Sequence, residues 1–395
     1  MSWFKAPELV VHSADQIASP DGGPPNLHVV DLQGAMLRSV VVVTFVAACA
    51  ASMHRAPMGP IHEEAFVRIG GIDQWITIRG DDRANPVLLL VHGGPGDPQS
   101  SLPSLYKVYE RDFTIVQWDQ PGAGKTYGKN PTVAPVPARV IADGIELTRY
   151  LEQHLGKRKL IVVGHSWGSF LANGMAQRAP ELYTALVGTG QVGSFKDNIQ
   201  TQFDFLLGHA RAARDHATVA KLEAIGRPDP TDANAYFSWW SIRNPYIAAS
   251  DRAFLASLLE LMQTNAEFAR EAETIGNGMT FSGKTTVNDM LAEDLPTTSP
   301  RLAVPFIVIE GADDIITPTS VAKKYFDMVQ APVKKWIEIP DAGHFAIVTH
   351  AAQFRDALLQ SVRPLAVGSI STRTELAVSR STLRHDSRSP EELNG

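Results

Sequence analysis

The sequence predicts an α/β fold, with a mostly parallel, doubly wound sheet and an inserted helical segment. First, short apolar runs recur along the chain and have the length and composition of strands that are covered on both faces. Second, helix-length stretches lie between several of these runs. Third, this alternation stops between residues 194 and 300, where helical patterns follow one another without a buried-strand signature.

The first predicted strands form a hairpin. Residues 65–69 and 74–78 alternate polar and apolar side chains and are separated by Gly70 and Gly71, which predicts an antiparallel first edge with one solvated face. Continuous apolar runs then predict buried strands at residues 87–91, 113–118, 160–163, 185–187, 304–309 and 335–339. Helical patterns occur at residues 138–155, 168–179, 198–213, 251–275 and 320–329.

These elements divide the chain into four parts. Residues 1–60 are a leader, residues 61–193 and 301–365 form the α/β core, and residues 194–300 form a helical cap inserted between two strands. The tail, residues 366–395, is rich in Ser, Thr and Arg and has few large apolar side chains. Burial cannot offset the entropy of ordering such a segment, so the tail is predicted to be disordered.

The leader contains a second candidate start of translation. From Met36 the chain reads Met-Leu-Arg-Ser, and residues 40–50 are an apolar and small-residue run that is shorter than the roughly 20 residues that span a bilayer. This pattern over residues 36–49 is typical of an export signal, and Val-Ala-Ala-Cys at its end resembles a lipoprotein lipobox. Translation from Met36 predicts a protein of the cell envelope or periplasm, attached to the membrane by a lipidated Cys49. The alternative is a cytoplasmic protein with a disordered leader.

The intact mass of the native protein tests this prediction. Export by a lipoprotein signal is expected to give a mature chain that begins at Cys49 and carries added lipid, because the preceding segment is removed. A mature chain that retains residues 1–48 would contradict it.

Composition excludes several classes of function. The formal net charge of −6 and the absence of a long Lys/Arg run in the sequence disfavour a nucleic-acid partner. The single cysteine, Cys49, excludes an internal disulfide framework and a thiolate-rich metal site.

A candidate nucleophile follows the apolar run at residues 160–163. Residues 164–168 read Gly-His-Ser-Trp-Gly and precede a helical pattern, which is the context of a G-x-S-x-G nucleophile elbow. Ser166 must occupy a strained strand-to-helix turn, so its neighbours at positions 164 and 168 must be small. The N-terminus of the following helix directs its N–H groups and positive dipole end toward a developing oxyanion.

A glycine-rich loop follows the buried strand at residues 87–91. Residues 92–96 read His-Gly-Gly-Pro-Gly, and such a loop brings a backbone N–H close to a substrate carbonyl. In α/β-hydrolases the oxyanion hole pairs this N–H with that of the residue after the nucleophile. The two donors here would be Gly94 and Trp167.

The acid and the base are expected after later strands, in the chain order Ser, Asp, His. Asp314 follows the run at residues 304–309, and His344 follows the run at residues 335–339. All three side chains would then meet at the carboxyl edge of the sheet. Asp313 competes with Asp314 for the role of acid, and Asp341 is interpreted as a turn residue.

Together these motifs resemble those of proline iminopeptidases and their relatives, over about residues 62–363. The resemblance includes residues 119–124, Asp-Gln-Pro-Gly-Ala-Gly, although Pro121 stands where the family usually has Arg. It implies an α/β-hydrolase fold with a helical cap and the release of N-terminal proline from peptides. It also places the acid at Asp314 and the oxyanion loop at Gly93 and Gly94, with Gly93 close to the substrate.

The predicted cap differs from the family pattern at the position that binds the substrate's amine. Iminopeptidases carry a cap glutamate just after a Trp-x-x-Trp-type pattern, whereas the comparable residues here, Trp239, Trp240 and Ser241, include no carboxylate. An ammonium in a desolvated pocket needs a negative partner, and Glu260, Glu267, Glu271 and Glu273 are candidates for it that the sequence does not place. Trp239 and Trp240 either line the pocket, where they would favour a compact acyl side such as proline, or form cap core.

Three functions therefore remain open: an iminopeptidase acting on a small amide or short peptide, an esterase or other small-molecule hydrolase without an amine-binding site, and a non-catalytic binding protein on the same fold. Ser166 argues against a dehalogenase or epoxide hydrolase, since both use a carboxylate nucleophile. No metal or organic cofactor is implied, because the triad supplies its own nucleophile and base.

Overall fold

The computed structural model describes residues 58–229 and 240–367. The export signal with Met36 and Cys49, Trp239 of the aromatic cluster and most of the predicted tail lie outside the described residues, as does the side chain of Trp240. Within the described ranges, no helix is both long and apolar enough to cross a membrane.

Eight strands form one sheet in the spatial order β1-β2-β4-β3-β5-β6-β7-β8. They are β1 Ile61–Ile69, β2 Ile72–Gly80, β3 Val87–Val91, β4 Thr114–Trp118, β5 Leu160–His165, β6 Tyr183–Thr189, β7 Phe306–Gly311 and β8 Lys334–Ile339. The pairs β1–β2 and β2–β4 are antiparallel, and all pairs from β4 to β8 are parallel. The prediction of a mostly parallel sheet with an antiparallel first edge is confirmed.

Helices occupy the connections between the parallel strands. Those in the described ranges are α1 Gly124–Lys129, α2 Pro137–Leu155, α3 Trp167–Arg178, α4 Phe195–Ala212, α5 His216–Ile225, α6 Trp240–Arg243, α7 Ala249–Thr264, α8 Ala266–Leu291, α9 Leu295–Thr298, α10 Thr319–Met328, α11 Ala346–Thr349 and α12 Ala351–Ser361. Short 3-10 turns lie at Pro103–Tyr109, Pro180–Leu182 and Asn244–Tyr246.

The glycine pair at the first turn explains the hairpin. Gly70 and Gly71 have φ angles of 56° and 76°, and a two-residue turn with both central residues at positive φ matches the right-handed twist of the flanking strands. The turn therefore sets the register in which Ile69 faces Ile72.

The prediction of one cap helix over residues 251–275 is wrong. The structure has two helices, α7 and α8, separated by Asn265, whose backbone is extended at φ −123° and ψ 105°. The Asn265 side-chain oxygen accepts a hydrogen bond of 2.9 Å from the N–H of Phe268. Asn265 thus caps the start of α8, and an Asn side chain stabilises a helix start better than a helix interior.

Helices cover both faces of the central strands. Val87, Leu89 and Val91 of β3 belong to one buried cluster, which includes residues of α3, whereas Leu88 and Leu90 belong to the cluster that includes residues of α12. Successive side chains of a strand point to opposite faces. A strand covered on both faces must be apolar throughout, which is the physical reason for its uninterrupted Val/Leu sequence.

The parallel strands bring the predicted site loops together. The loops after β3, β5, β7 and β8 contain residues 92–96, Ser166, Asp314 and His344. Because these strands all run in the same direction, the loops that follow them leave the sheet at one edge, where open α/β sheets bind ligands.

The close approach of α3 to β3 makes a testable prediction about stability. A Cβ at Gly168 would overlap the carbonyl oxygen of Val91 and lie 2.5 Å from that of His92. Since backbone atoms cannot move aside without shifting the strand, Gly168→Ala is expected to lower the free energy of unfolding by about 3 kcal/mol, as measured by urea denaturation.

Gly208 provides the matched control. It lies inside α4, and a Cβ there would meet nothing within 4 Å. Gly208→Ala is expected to raise the free energy of unfolding by about 0.5–1 kcal/mol, because alanine favours a helix interior. If both variants behaved alike, close packing at Gly168 would not be the cause.

Candidate active site

Ser166 lies at the sharp turn between β5 and α3. Its backbone angles are φ 55° and ψ −124°, in a region that residues with a Cβ rarely occupy. A serine in this position before a helix ordinarily accepts a hydrogen bond from the first turn, but the Ser166 side chain makes no capping hydrogen bond. Its hydroxyl is therefore not occupied in stabilising the helix.

Contacts around the turn explain the spacing of the glycines. A Cβ at Gly164 would lie 2.5 Å from the Cα of Ser169, and Gly168 has no room for a Cβ against β3. The Ser169 hydroxyl donates a hydrogen bond of 2.6 Å to the carbonyl of Ser166 and accepts one of 2.9 Å from the N–H of Val192. These contacts hold the strained turn in place.

The glycine-rich loop after β3 lies directly against this turn. A Cβ at Gly93 would be 3.0 Å from the Cβ of Ser166, so a side chain at position 93 would crowd this approach. Gly94 follows with a φ of 113°. Trp167 is the first residue of α3, so its N–H has no acceptor within the helix. Of the two predicted oxyanion donors, Trp167 directly follows Ser166, and Gly94 follows the residue whose backbone lies against Ser166.

Asp314 and His344 form a buried pair at the same edge. The Nδ1 of His344 lies 2.8 Å from the Oδ2 of Asp314, and the two side chains are 5% and 0% exposed. Asp313, the competing acid, is exposed. Asp341 has a φ of 60°, as expected of a turn residue. Asp314 is therefore the carboxylate that orients the imidazole.

The loop after β7 stabilises the charge of Asp314. Its carboxylate accepts hydrogen bonds from the N–H groups of Ile316 and Thr317, at 2.7 and 3.0 Å, and from the Thr317 hydroxyl at 2.8 Å. Burial raises the pKa of Asp314, but the charge and hydrogen bonds of His344 and Thr317 outweigh burial and hold the pKa below its ordinary value.

A second buried carboxyl lies beside this pair. Glu310, the penultimate residue of β7, is fully buried and accepts a hydrogen bond of 3.0 Å from the N–H of Gln191. Burial and the negative charge of Asp314 hold the pKa of Glu310 well above its ordinary value. Glu310 is therefore neutral where Asp314 is ionised, and the negative charge stays on the side chain that contacts His344.

The structure does not join Ser166 to His344 directly. Among the described residues, no hydrogen bond connects the Ser166 hydroxyl to the imidazole, although both lie at the same edge of the sheet. In proteins without substrate such hydrogen bonds are often long and shorten when substrate binds.

His165 supports His344 and was not identified from the sequence. The Nε2–H of His165 donates a hydrogen bond of 3.0 Å to the carbonyl of His344, and the two rings are 4.7 Å apart. Burial, with the charge of His344, lowers the pKa of His165 to about 3. His165 is therefore a neutral support, whereas the sequence showed only that position 165 lies between Gly164 and Ser166.

Asp251 is a second support, and it comes from the cap. This residue in the first turn of α7 is 1% exposed. Its carboxylate accepts hydrogen bonds from the backbone N–H groups of His344 and Phe345, at 2.7 and 3.2 Å. Gly343 leaves the space that the Asp251 carboxylate occupies. The glycine before His344 was visible in the sequence, but nothing there identified its partner 93 residues earlier.

A cleft of about 510 Å³ lies between α4 and the loop after β7, which contains Asp314. Its lining includes Asp313, Asp314 and His209 but neither Ser166 nor His344. A substrate in this cleft would not contact the predicted nucleophile, so the cleft is separate from the predicted site of attack.

Comparison with known proteins agrees with the fold. The sequence model of a family described as having the α/β-hydrolase fold matches residues 86–351, which include both the glycine-rich loop and His344. The chain belongs to the α/β-hydrolase family.

Among relatives of this α/β-hydrolase, a Bacillus subtilis (strain 168) protein named "Probable aminopeptidase YbaC" is 30% identical over 300 residues, which cover 75% of this chain and 94% of the relative. A proline iminopeptidase of Lacticaseibacillus rhamnosus (strain Lc 705) is 24% identical, with 75% and 97% covered. The crystal structure of a Mycobacterium smegmatis proline iminopeptidase is similar with a TM-score of 0.55 at 18% identity, over 78% of this chain and 100% of that one.

The contact between Asp251 and the His344 loop predicts a measurable local effect in this hydrolase. Asp251→Ala removes the acceptor of two backbone N–H groups, so hydrogen exchange at His344 and Phe345 is expected to become faster. Hydrolase turnover is expected to fall by roughly tenfold or more, because a small displacement of the base is costly. Exchange by mass spectrometry and steady-state kinetics measure the two effects.

Glu260→Gln, at an exposed position on the same helix, is the control and is expected to leave exchange at residues 344–345 unchanged. Normal exchange in Asp251→Ala would show that the carboxylate does not support the loop.

Proposed function

We propose that this protein is a serine hydrolase that acts through an acyl-enzyme on a small amide or short peptide and releases an N-terminal residue such as proline. The observation that carries the proposal is the buried hydrogen bond of 2.8 Å between Asp314 and His344. It lies at the sheet edge where the Ser166 hydroxyl makes no capping hydrogen bond to the following helix. The combination has the parts of a Ser-His-Asp triad, in the chain order of α/β-hydrolases.

In the proposed reaction, the Ser166 hydroxyl attacks the scissile carbonyl and gives its proton to the Nε2 of His344. The N–H groups of Gly94 and Trp167 stabilise the resulting oxyanion. His344 then returns the proton to the leaving amine, and the acyl group remains on Ser166. A water molecule, deprotonated by His344, releases the acid and regenerates the hydroxyl.

The ionised state of Asp314 supports this role. The Nδ1–H of His344 donates to Asp314, which leaves Nε2 as the acceptor for the serine proton. As positive charge develops on the imidazole, the ionised carboxylate stabilises it. Neutral Glu310 and neutral His165 add no competing charge to the pair.

The names of the relatives support an α-amino acyl group. Both the Bacillus and the Lacticaseibacillus relatives carry names that describe release of N-terminal residues, and they align over 75% of this chain. An esterase without an amine-binding site uses the same machinery, so substrate preference distinguishes the two.

Ser166→Ala is expected to lower turnover by several orders of magnitude, because the covalent step needs the hydroxyl. Labelling by a fluorophosphonate probe is expected in the unmodified protein and lost in the variant. Ser257→Ala, at an exposed position on α7, should keep both turnover and labelling. Full activity in Ser166→Ala would refute the nucleophile.

Substrate preference is tested with L-prolyl and N-acetyl-L-prolyl arylamides and with a short acyl ester. The proposal predicts that the free-amine arylamide has the highest kcat/KM of the three relative to its spontaneous hydrolysis. Equal rates with free and blocked amines would favour the esterase.

A further inference from the structure

Asp97 directly follows the glycine-rich loop and folds back over it. Its backbone N–H donates a hydrogen bond of 3.4 Å to the carbonyl of Gly93. A Cβ at Gly94 would lie 2.8 Å from the nitrogen of Asp97 and 3.3 Å from its Cβ. The base of the Asp97 side chain is therefore next to the proposed oxyanion donor, in the loop that contacts Ser166.

The Asp97 carboxylate has no partner within the described part of the chain: no hydrogen bond or ion pair reaches it there. Burial raises the pKa of this carboxyl to about 6, and the charge of His344 opposes the shift only in part. The Asp97 side chain is half-buried, and a cation that entered the site would offset the cost of this partial desolvation.

The same loop offers a second acceptor without a donor. The side-chain oxygen of Gln99, two residues after Asp97, is buried and makes no hydrogen bond. A carboxylate and an amide oxygen both accept hydrogen bonds. A ligand that satisfies them must carry hydrogen-bond donors, and one that also neutralises Asp97 must be positively charged. A protonated amine meets both requirements.

The cap covers this loop. A Cβ at Gly96 would lie 2.9 Å from the Cα of Met279 and 3.0 Å from the carbonyl oxygen of Gly278, so α8 packs on the loop through backbone contacts. Because α8 shields the loop from bulk water, an ion pair at Asp97 would be stronger than one at the surface.

The cap carboxylates whose side chains the structure describes suit the amine less well, and the side chain of Glu267 lies outside the described residues. Glu260 and Glu273 are exposed. Glu271 is half-buried, and the group on which its charge acts is Asp119, beyond the glycine-rich loop. Asp97, in contrast, adjoins Gly94 in the loop that contacts Ser166, and the charge of His344 acts on it.

We infer that the Asp97 carboxylate binds the free α-ammonium of the substrate and so restricts cleavage to the bond after the first residue. This inference rests on the proposed aminopeptidase function. In an α-amino acyl group, one carbon separates the amine from the scissile carbonyl. An anchor for that amine must therefore adjoin the oxyanion hole, which is where Asp97 lies.

Asp97→Asn tests the inference because the amide keeps the shape of the side chain and removes its charge. The kcat/KM for L-prolyl arylamide is expected to fall about 10- to 100-fold, as for loss of a charged hydrogen bond. The kcat/KM for a short acyl ester should fall much less than that for the arylamide, since the ester has no amine. Asp97→Glu, which keeps the charge, should retain part of the preference for the free amine.

Thermal unfolding separates a binding role from a structural one. A carboxyl whose pKa is higher in the folded chain destabilises it at pH values above that pKa, because the unfolded chain ionises first, from about pH 4. At neutral pH, Asp97→Asn is therefore expected to unfold at the same or a higher temperature than the unmodified protein. A clear decrease would show that Asp97 stabilises the loop and would overturn the inference.

The controls distinguish the two levels of the proposal. If the unmodified protein shows no preference for the free amine, the aminopeptidase function fails and the role of Asp97 fails with it. If the preference exists and Asp97→Asn keeps it, only the role of Asp97 is overturned. Glu271→Gln is the matched cap variant, and loss of the preference in this variant alone would place the anchor on α8.

Discussion

The close packing of the start of α3 against the end of β3 is the constraint on which the site depends. Gly168 has no room for a side chain against the carbonyls of Val91 and His92. This contact fixes the start of α3, and the chain can reach that start from β5 only through a sharp turn. Ser166 therefore takes a φ of 55°. The strain is confined to one residue, and the surrounding hydrogen bonds through Ser169 hold it there.

Three side chains hold the loop that contains His344. Asp314 contacts the imidazole, His165 contacts the backbone carbonyl, and Asp251 contacts the backbone N–H groups of residues 344 and 345. Asp251 belongs to the cap, so the position of α7 and the position of the base are coupled. A displacement of α7 would also change the support of the loop that contains His344.

Three acidic residues near the site have different charge states for physical reasons. Asp314 keeps its charge because Thr317 and His344 donate to it, and Glu310 is neutral because it is buried beside that charge. Asp97 is half-buried and has no hydrogen-bond partner among the described residues. Binding sites commonly retain such unfavourable groups because a ligand completes them. On this interpretation Asp97 replaces the cap glutamate that the iminopeptidase pattern led us to expect.

The sequence by itself determined the parallel strands, the edge at which they end and the identity of Ser166, Asp314 and His344 as candidates. These features follow from local rules, since a strand covered on both faces must be apolar and a sharp turn requires small neighbours. The break between α7 and α8 was missed because the capping of Asn265 competes with a helical period that continues across it.

Only the tertiary structure decided which groups support the site. Asp251 is 93 residues from His344, and neither the contact nor the burial of its carboxylate leaves a periodic trace in the sequence. The same holds for the unpaired state of Asp97 and the neutral state of His165. Partners and charge states depend on distances between separate elements and on the water that packing excludes, and these exist only once the chain has folded.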